Sequence, residues 1–168
     1  MSYSAGVPHP GGHSRLSLEI LAPQVTASIA ALGANLAVYV PVIILDRVIV
    51  RKLFVVSGFT TSGNLDIGLY NAAGSRLVAS GSIAKVDSVL QSIDVTDTSI
   101  GPGMYYLALV SNSGTDTFGT VSLAAPAPAA YGLLTESVFP LPATATWTVP
   151  QTLAQVPSLG LFFVTLVS

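Results

Sequence analysis

The chain is expected to fold as an all-β protein: an antiparallel β-sandwich, jelly-roll-like, with an extended N-terminal arm. Three observations predict this. Short runs rich in β-branched and aromatic residues recur along the 168 residues. Turn-forming clusters of Gly, Pro, Asn and Ser separate them at regular spacing, as in sandwiches and barrels. The composition is ordered and apolar, 51% hydrophobic and only 8% charged, where a typical globular chain carries about 25% charge. One domain accommodates this length, so the expected division is an arm over residues 1–14 and a single sandwich domain over 15–168.

The elements follow in order. Met1 to Gly12 (MSYSAGVPHPGG) lacks the basic start and apolar block of a signal peptide and reads as an arm. Ile20 to Leu45 carries no charge, yet Pro23, Pro41, Gln24, Asn35 and Gly33 make it a poor membrane span. Within it, Val25, Ile29, Leu32 and Leu36 recur at helical spacing, so residues 24–33 stay open between helix and strand. Ala37-Val38-Tyr39-Val40 reads as strand. Val48 to Val56 (VIVRKLFVV) is apolar on both faces, as a central strand is, and ends at Ser57-Gly58. Asn64 to Tyr70 alternates Leu65, Ile67 and Leu69 with Asp66, Gly68 and Tyr70. After the turn Asn71-Ala72-Ala73-Gly74 a return strand, Ser75 to Ser80, completes a hairpin with one wet face. Val89 to Val95 is the next strand, closed by Thr96 to Ser99 and the corner Gly101-Pro102-Gly103. Met104 to Val110 (MYYLALV) sends Tyr105 and Tyr106 to opposite faces. Phe118 to Leu123 is a further strand, Ala124 to Ala130 a proline-rich connector, and Leu159 to Val167 the closing strand.

Charge is distributed unevenly. Asp46 to Asp116 holds 11 of the 14 charged residues, whereas Thr117 to Ser168 holds one, Glu136. A segment so poor in charge is expected to be buried, and contact with other subunits is the expected reason. Net charge is −2 with no basic stripe, which excludes direct nucleic-acid binding. With no Cys there is neither a disulfide nor a thiolate metal site.

Candidate chemistry is sparse. His9 and His13, the only histidines, are too few for a closed zinc site and read as solvated arm residues. Asp87, Asp94 and Asp97 lack calcium-loop spacing and read as turn and strand-end residues. Asp66, Asp94 and Asp116 are the carboxylates a glycosidase would need in one cleft, but nothing in the sequence pairs them. No nucleophile elbow, phosphate loop or zinc-protease motif is present. Neither enzyme activity nor a cofactor or metal site is expected. Tyr131, Phe139 and Trp147 form the one aromatic group that suits either a subunit contact or a sugar platform, with packing in a core or subunit contact the favoured reading.

Several segments in order, Tyr39-Val40-Pro41, Arg51 to Val55, Ser62-Gly63-Asn64-Leu65-Asp66-Ile67-Gly68-Leu69-Tyr70, Gln91 to Thr98 and Gly101-Pro102-Gly103-Met104-Tyr105-Tyr106-Leu107-Ala108-Leu109, together resemble a β-sandwich module of tailed-bacteriophage virion proteins. The resemblance spans roughly residues 36 to 165, with an echo at Phe139 to Thr146, and the arm matches nothing in it. It implies a virion structural component, located in the virion. The first expectation is a homotrimeric surface protein that decorates or cements the capsid by apolar contacts with itself and with the major capsid protein. The alternative is a tail fibre or baseplate appendage that binds a receptor or host surface glycan.

Overall fold

The computed structural model describes residues 13–16, 26–59, 62–122, 132–149 and 155–165. The strands are β1 (His13–Leu16), β2 (Thr26–Ala31), β3 (Leu36–Ile44), β4 (Val48–Val56), β5 (Asn64–Asn71), β6 (Arg76–Ala79), β7 (Ile83–Ala84), β8 (Leu90–Ile100), β9 (Gly103–Ser111), β10 (Thr117–Ser122), β11 (Leu134–Ser137), β12 (Gln155–Pro157) and β13 (Leu159–Thr165). All pairings between them are antiparallel. One sheet runs β1-β13-β4-β8, a second β11-β3-β9-β5-β6 with β7 also on β5, and a short third β12-β10-β2. The pairs β3·β9 and β4·β8 lie in different sheets and nest around the β5–β6 hairpin, which is the winding of a jelly roll.

The main core lies between the first two sheets. Val38, Val40 and Val42 of β3, Leu65, Ile67 and Leu69 of β5, and Leu107 and Leu109 of β9 meet Val48, Val50, Leu53 and Val55 of β4 and Leu159 and Leu161 of β13. Period-two alternation puts every second residue of β3, β5 and β9 there, β4 does the same on either side of a one-residue slip at Arg51, and a fully buried Leu or Val side chain contributes about 1.5–3 kcal/mol.

Several expectations change. Residues 26–31 are strand, paired with β10 from Thr26↔Ser122 to Ala31↔Thr117, so the helical spacing there is incidental. Gly33, at φ 100°, makes the turn between β2 and β3 rather than a helix cap. β8 runs on through Thr96–Ser99 to Ile100, because β4 still offers Val50, Ile49 and Val48 as partners. His13 and Ser14, assigned to the arm, pair in β1 with Phe163 and Phe162. The connector at 124–130 and most of the arm lie outside the described residues. No helix among the described residues is long and apolar enough to cross a membrane.

The largest correction concerns the hairpin's wet face. Asp66, Gly68 and Tyr70 are all buried, because the outer face of their sheet carries a second core. Ala37 and Tyr39 of β3, Tyr70 of β5, and Tyr106, Ala108 and Val110 of β9 are capped there by Leu141, with Leu134, Val138, Phe139, Ala145 and Trp147 packed around them. A sheet that is apolar on both faces needs cover on both, and the charge-poor segment 132–149 supplies it. Much of the apolar content of the tail is therefore buried within its own chain, here and in β12 and β13.

Candidate functional site

The covering segment is fastened by polar groups that its own sequence and the β3, β5 and β6 strands provide. The Tyr39 hydroxyl donates to Glu136 Oε2 at 2.9 Å and the Thr146 hydroxyl to Oε1 at 2.6 Å, so the lone tail charge is held at both oxygens. The Tyr70 hydroxyl donates to the Pro142 carbonyl at 2.6 Å, and Arg76 Nη1 to the Leu141 carbonyl at 2.5 Å. Asp66 Oδ2 accepts the Leu141 N–H at 3.1 Å, while Oδ1 accepts the Ser80 hydroxyl at 3.1 Å. Burial pushes both tyrosines up, Tyr70 to about 12 and Tyr39 well beyond the ordinary phenol range, with neighbouring Tyr70 and Glu136 adding to the rise at Tyr39. Burial also raises the Asp66 carboxyl, against the hydrogen bonds that favour its charged form.

Of the three aromatic candidates, Tyr131 lies outside the described residues. Phe139 and Trp147 are half-buried and both pack on the second core. The Trp147 ring meets Tyr39 edge-on at 5.4 Å and Tyr106 at 4.7 Å, and Tyr39 in turn meets Tyr70 at 5.2 Å. These separations suit the quadrupoles of aromatic rings and fix the segment's position. Trp147 and Phe139 thus share one patch of sheet.

The carboxylates are dispersed. Asp116, fully buried, accepts the Ser62 N–H at 2.8 Å and the Ser111 hydroxyl at 2.7 Å, tying together the loops before β5 and after β9. Asp94 pairs with Lys52 at 2.9 Å and Asp97 with Arg51 at 3.4 Å on the opposite sheet from Asp66. Asp87 accepts the Ser88 hydroxyl. No group of three metal-binding side chains occurs among the described residues. His13 contributes backbone pairing in β1; His9 lies outside the described residues.

Apart from Val149, the exposed large apolar side chains among the described residues lie at the two ends of the sandwich. At one end are Ile43, Leu45 and Met104, with Ile43 directly opposite Met104 in the β3·β9 ladder. At the other are Phe59, 70% exposed, with Val86, Val89 and Leu90. The loops that carry this second group are cross-linked by hydrogen bonds. Ser57 N–H donates to the Val89 carbonyl at 2.9 Å and Ser88 N–H to the Gly58 carbonyl at 3.1 Å. Buried Gln91 accepts the Val86 N–H at 2.9 Å and donates to the Ala84 carbonyl at 2.8 Å. Lys85, buried beside the Phe118 ring, donates to the Gly58 carbonyl at 3.1 Å, and burial lowers its amine's pKa against the pull of Asp116 and Asp87. Ser88 takes a left-handed φ of 49° to close the loop. Sequence reading missed both ends, since single apolar residues in loops carry no periodic signal. Comparison with protein-family models, curated proteins and solved structures finds no match to this chain.

Proposed function

We propose that the chain is a structural component of a bacteriophage virion, a homo-oligomeric surface protein that decorates or cements the capsid through apolar contacts. The observation that carries this reading is the exposed apolar end formed by Phe59, Val86, Val89 and Leu90. Exposed apolar side chains held in place by buried hydrogen bonds lose little conformational freedom on association, which favours binding. The dispersal of the carboxylates into structural bonds supports a role without catalysis. The resemblance of the 36–165 region to virion sandwich modules is the reason for reading the partner assembly as a phage particle. In this reading one apolar end joins copies of the chain, as a trimer, while the other meets the major capsid protein, and many such contacts add by multivalency.

The test is the mass of the purified protein by light scattering, followed by co-sedimentation with empty capsids of the cognate phage. A mass of three chains of 17.2 kDa that pellets with shells is expected. Replacing Phe59 and Leu90 together by Ser should abolish pelleting and leave the melting temperature unchanged. A monomer that ignores shells overturns the proposal.

A further inference from the structure

The outer face of the β1-β13-β4-β8 sheet carries an open cleft of about 420 Å³ lined by Arg51, Lys52, Ser92, Phe162, Phe163 and Val164. Its location coincides with two register irregularities. In the β13·β4 ladder Phe162 faces Lys52 and Phe163 faces Val50, so Arg51 is an extra residue of β4. On the other side Lys52 faces Asp94 and Val50 faces Thr98, so β8 carries two extra residues across from the same point. The Thr98 hydroxyl bonds the Thr96 carbonyl at 2.8 Å inside that bulge. Bulges re-aim side chains and recur beside binding sites, and two of them meeting at Arg51 place Arg51 and Lys52 consecutively on the outer surface.

The chemistry of the cleft is specific in its balance. Phe162, half-buried and packed against Phe54 at 4.8 Å, gives it an aromatic floor. Its rim holds two cations, each matched by a carboxylate, Arg51 with Asp97 and Lys52 with Asp94. The rim is therefore neutral overall, which disfavours phosphate, sulfate or an acidic sugar as ligand. Arg51 uses Nε toward Asp97 and Lys52 uses Nζ toward Asp94 Oδ1; Arg51, Asp97 and Lys52 are about half exposed and Asp94 is mostly exposed. Arg51, Lys52 and the exposed Ser92 are the polar side chains that line the cleft itself. The planar donors of Arg51 beside the Ser92 hydroxyl match vicinal hydroxyls, and an aromatic floor matches the C–H face of a sugar ring. The volume falls in the range of small-molecule sites, about 300–1,000 Å³.

We infer that this bulge-formed cleft is a binding site for a neutral pyranose ring of an oligosaccharide. The inference stands apart from the assembly reading, since it uses the sheet face and neither apolar end of the sandwich.

The test follows backbone amide shifts by NMR while the intact protein is titrated with cellotriose, maltotriose and chitotriose, with 3′-sialyllactose and inorganic phosphate as charged probes. Saturable shifts at Arg51, Ser92 and Phe162 with at least one neutral trisaccharide are expected. Ser92→Trp, a change at an exposed position that fills the cleft, should weaken that binding by about tenfold or more, a loss of about 1.4 kcal/mol. Arg51→Lys, which keeps the charge but loses the planar donors, should weaken it too. Absence of shifts at these amides with every neutral sugar, response only to the charged probes, or undiminished binding by Ser92→Trp overturns the inference.

Discussion

Leu141 is the side chain on which docking of the covering segment turns, and Leu141→Ala measures that docking. It is 1% exposed and sits directly over Gly68 of β5, where an added Cβ would lie 2.9 Å from Leu141 Cδ1. Removing three carbons forfeits roughly 2.4 kcal/mol of transfer free energy at about 0.8 kcal/mol per carbon. Tyr39 and Tyr70 beside the site are held by their own hydrogen bonds and relax little, so a cavity penalty brings the total to about 3–4 kcal/mol. Equilibrium urea unfolding reads this as a lower midpoint with an unchanged slope. The glycine provides an internal control. Gly68→Ala alone drives a methyl group into Leu141 and is expected to cost about 1–3 kcal/mol. In the double variant that methyl group enters the space Leu141 vacated, so the combined loss falls short of the sum by about 1 kcal/mol or more. A loss under about 1 kcal/mol for Leu141→Ala, or strict additivity in the double variant, would refute the claim that the segment seals this sheet.

Three further outcomes are expected. Asp66 has its folded pKa raised by burial, so the native state binds the proton more tightly than the unfolded one; the resulting stabilisation is full below the unfolded pKa and is lost as pH rises through the folded one. The melting-temperature difference between the native protein and Asp66→Asn should therefore fall steadily from about pH 4 upward, and a difference that is flat or rises with pH contradicts the assignment. Tyr39→Phe removes a donor from Glu136 and should cost about 1–2 kcal/mol while shifting the emission of Trp147, the only tryptophan; unchanged emission would mean that the indole does not rest on that ring. Gln91→Ala strips the partner from the Val86 N–H, so hydrogen exchange at Val86 should accelerate with little change at Leu107 in the main core, whereas equal acceleration at both would show a global effect instead.

Much of the sandwich was legible because period-two alternation is a local signal. β4 was read with both its ends correct, and the opposed Tyr105 and Tyr106 followed from pleat geometry alone. The strand at Thr26–Ala31 was not resolved, because small residues such as Ala27, Ser28 and Ala30 fit a helix and an edge strand equally well. The hairpin's buried outer face was missed for a different reason. Asp66 looks solvated in sequence, and its burial is made tolerable by the Ser80 hydroxyl and by the Leu141 N–H, 75 residues away. The bulge that shapes the cleft did leave a trace. In Val48-Ile49-Val50-Arg51-Lys52-Leu53-Phe54-Val55 the inward set passes from Val48 and Val50 to Leu53 and Val55, a slip of phase that a regular strand does not show. The packing of Phe139 and Trp147 on the outer face of the β3-β9-β5 sheet depends on contacts that no spacing encodes.

The place of β13 has a consequence for how the molecule comes into being. The last described strand is interior to its sheet, with β4 on one side and β1 on the other. During synthesis from the N-terminus, β1 has no seat until β13 has emerged, and β4 keeps one flank unpaired for the same interval. Closure of such distant pairs makes folding slow and leaves strand edges open meanwhile. Neighbouring nascent chains on one message would present one another with the same open β4 flank, so exchange of β13 between copies is the characteristic error this topology must outrun.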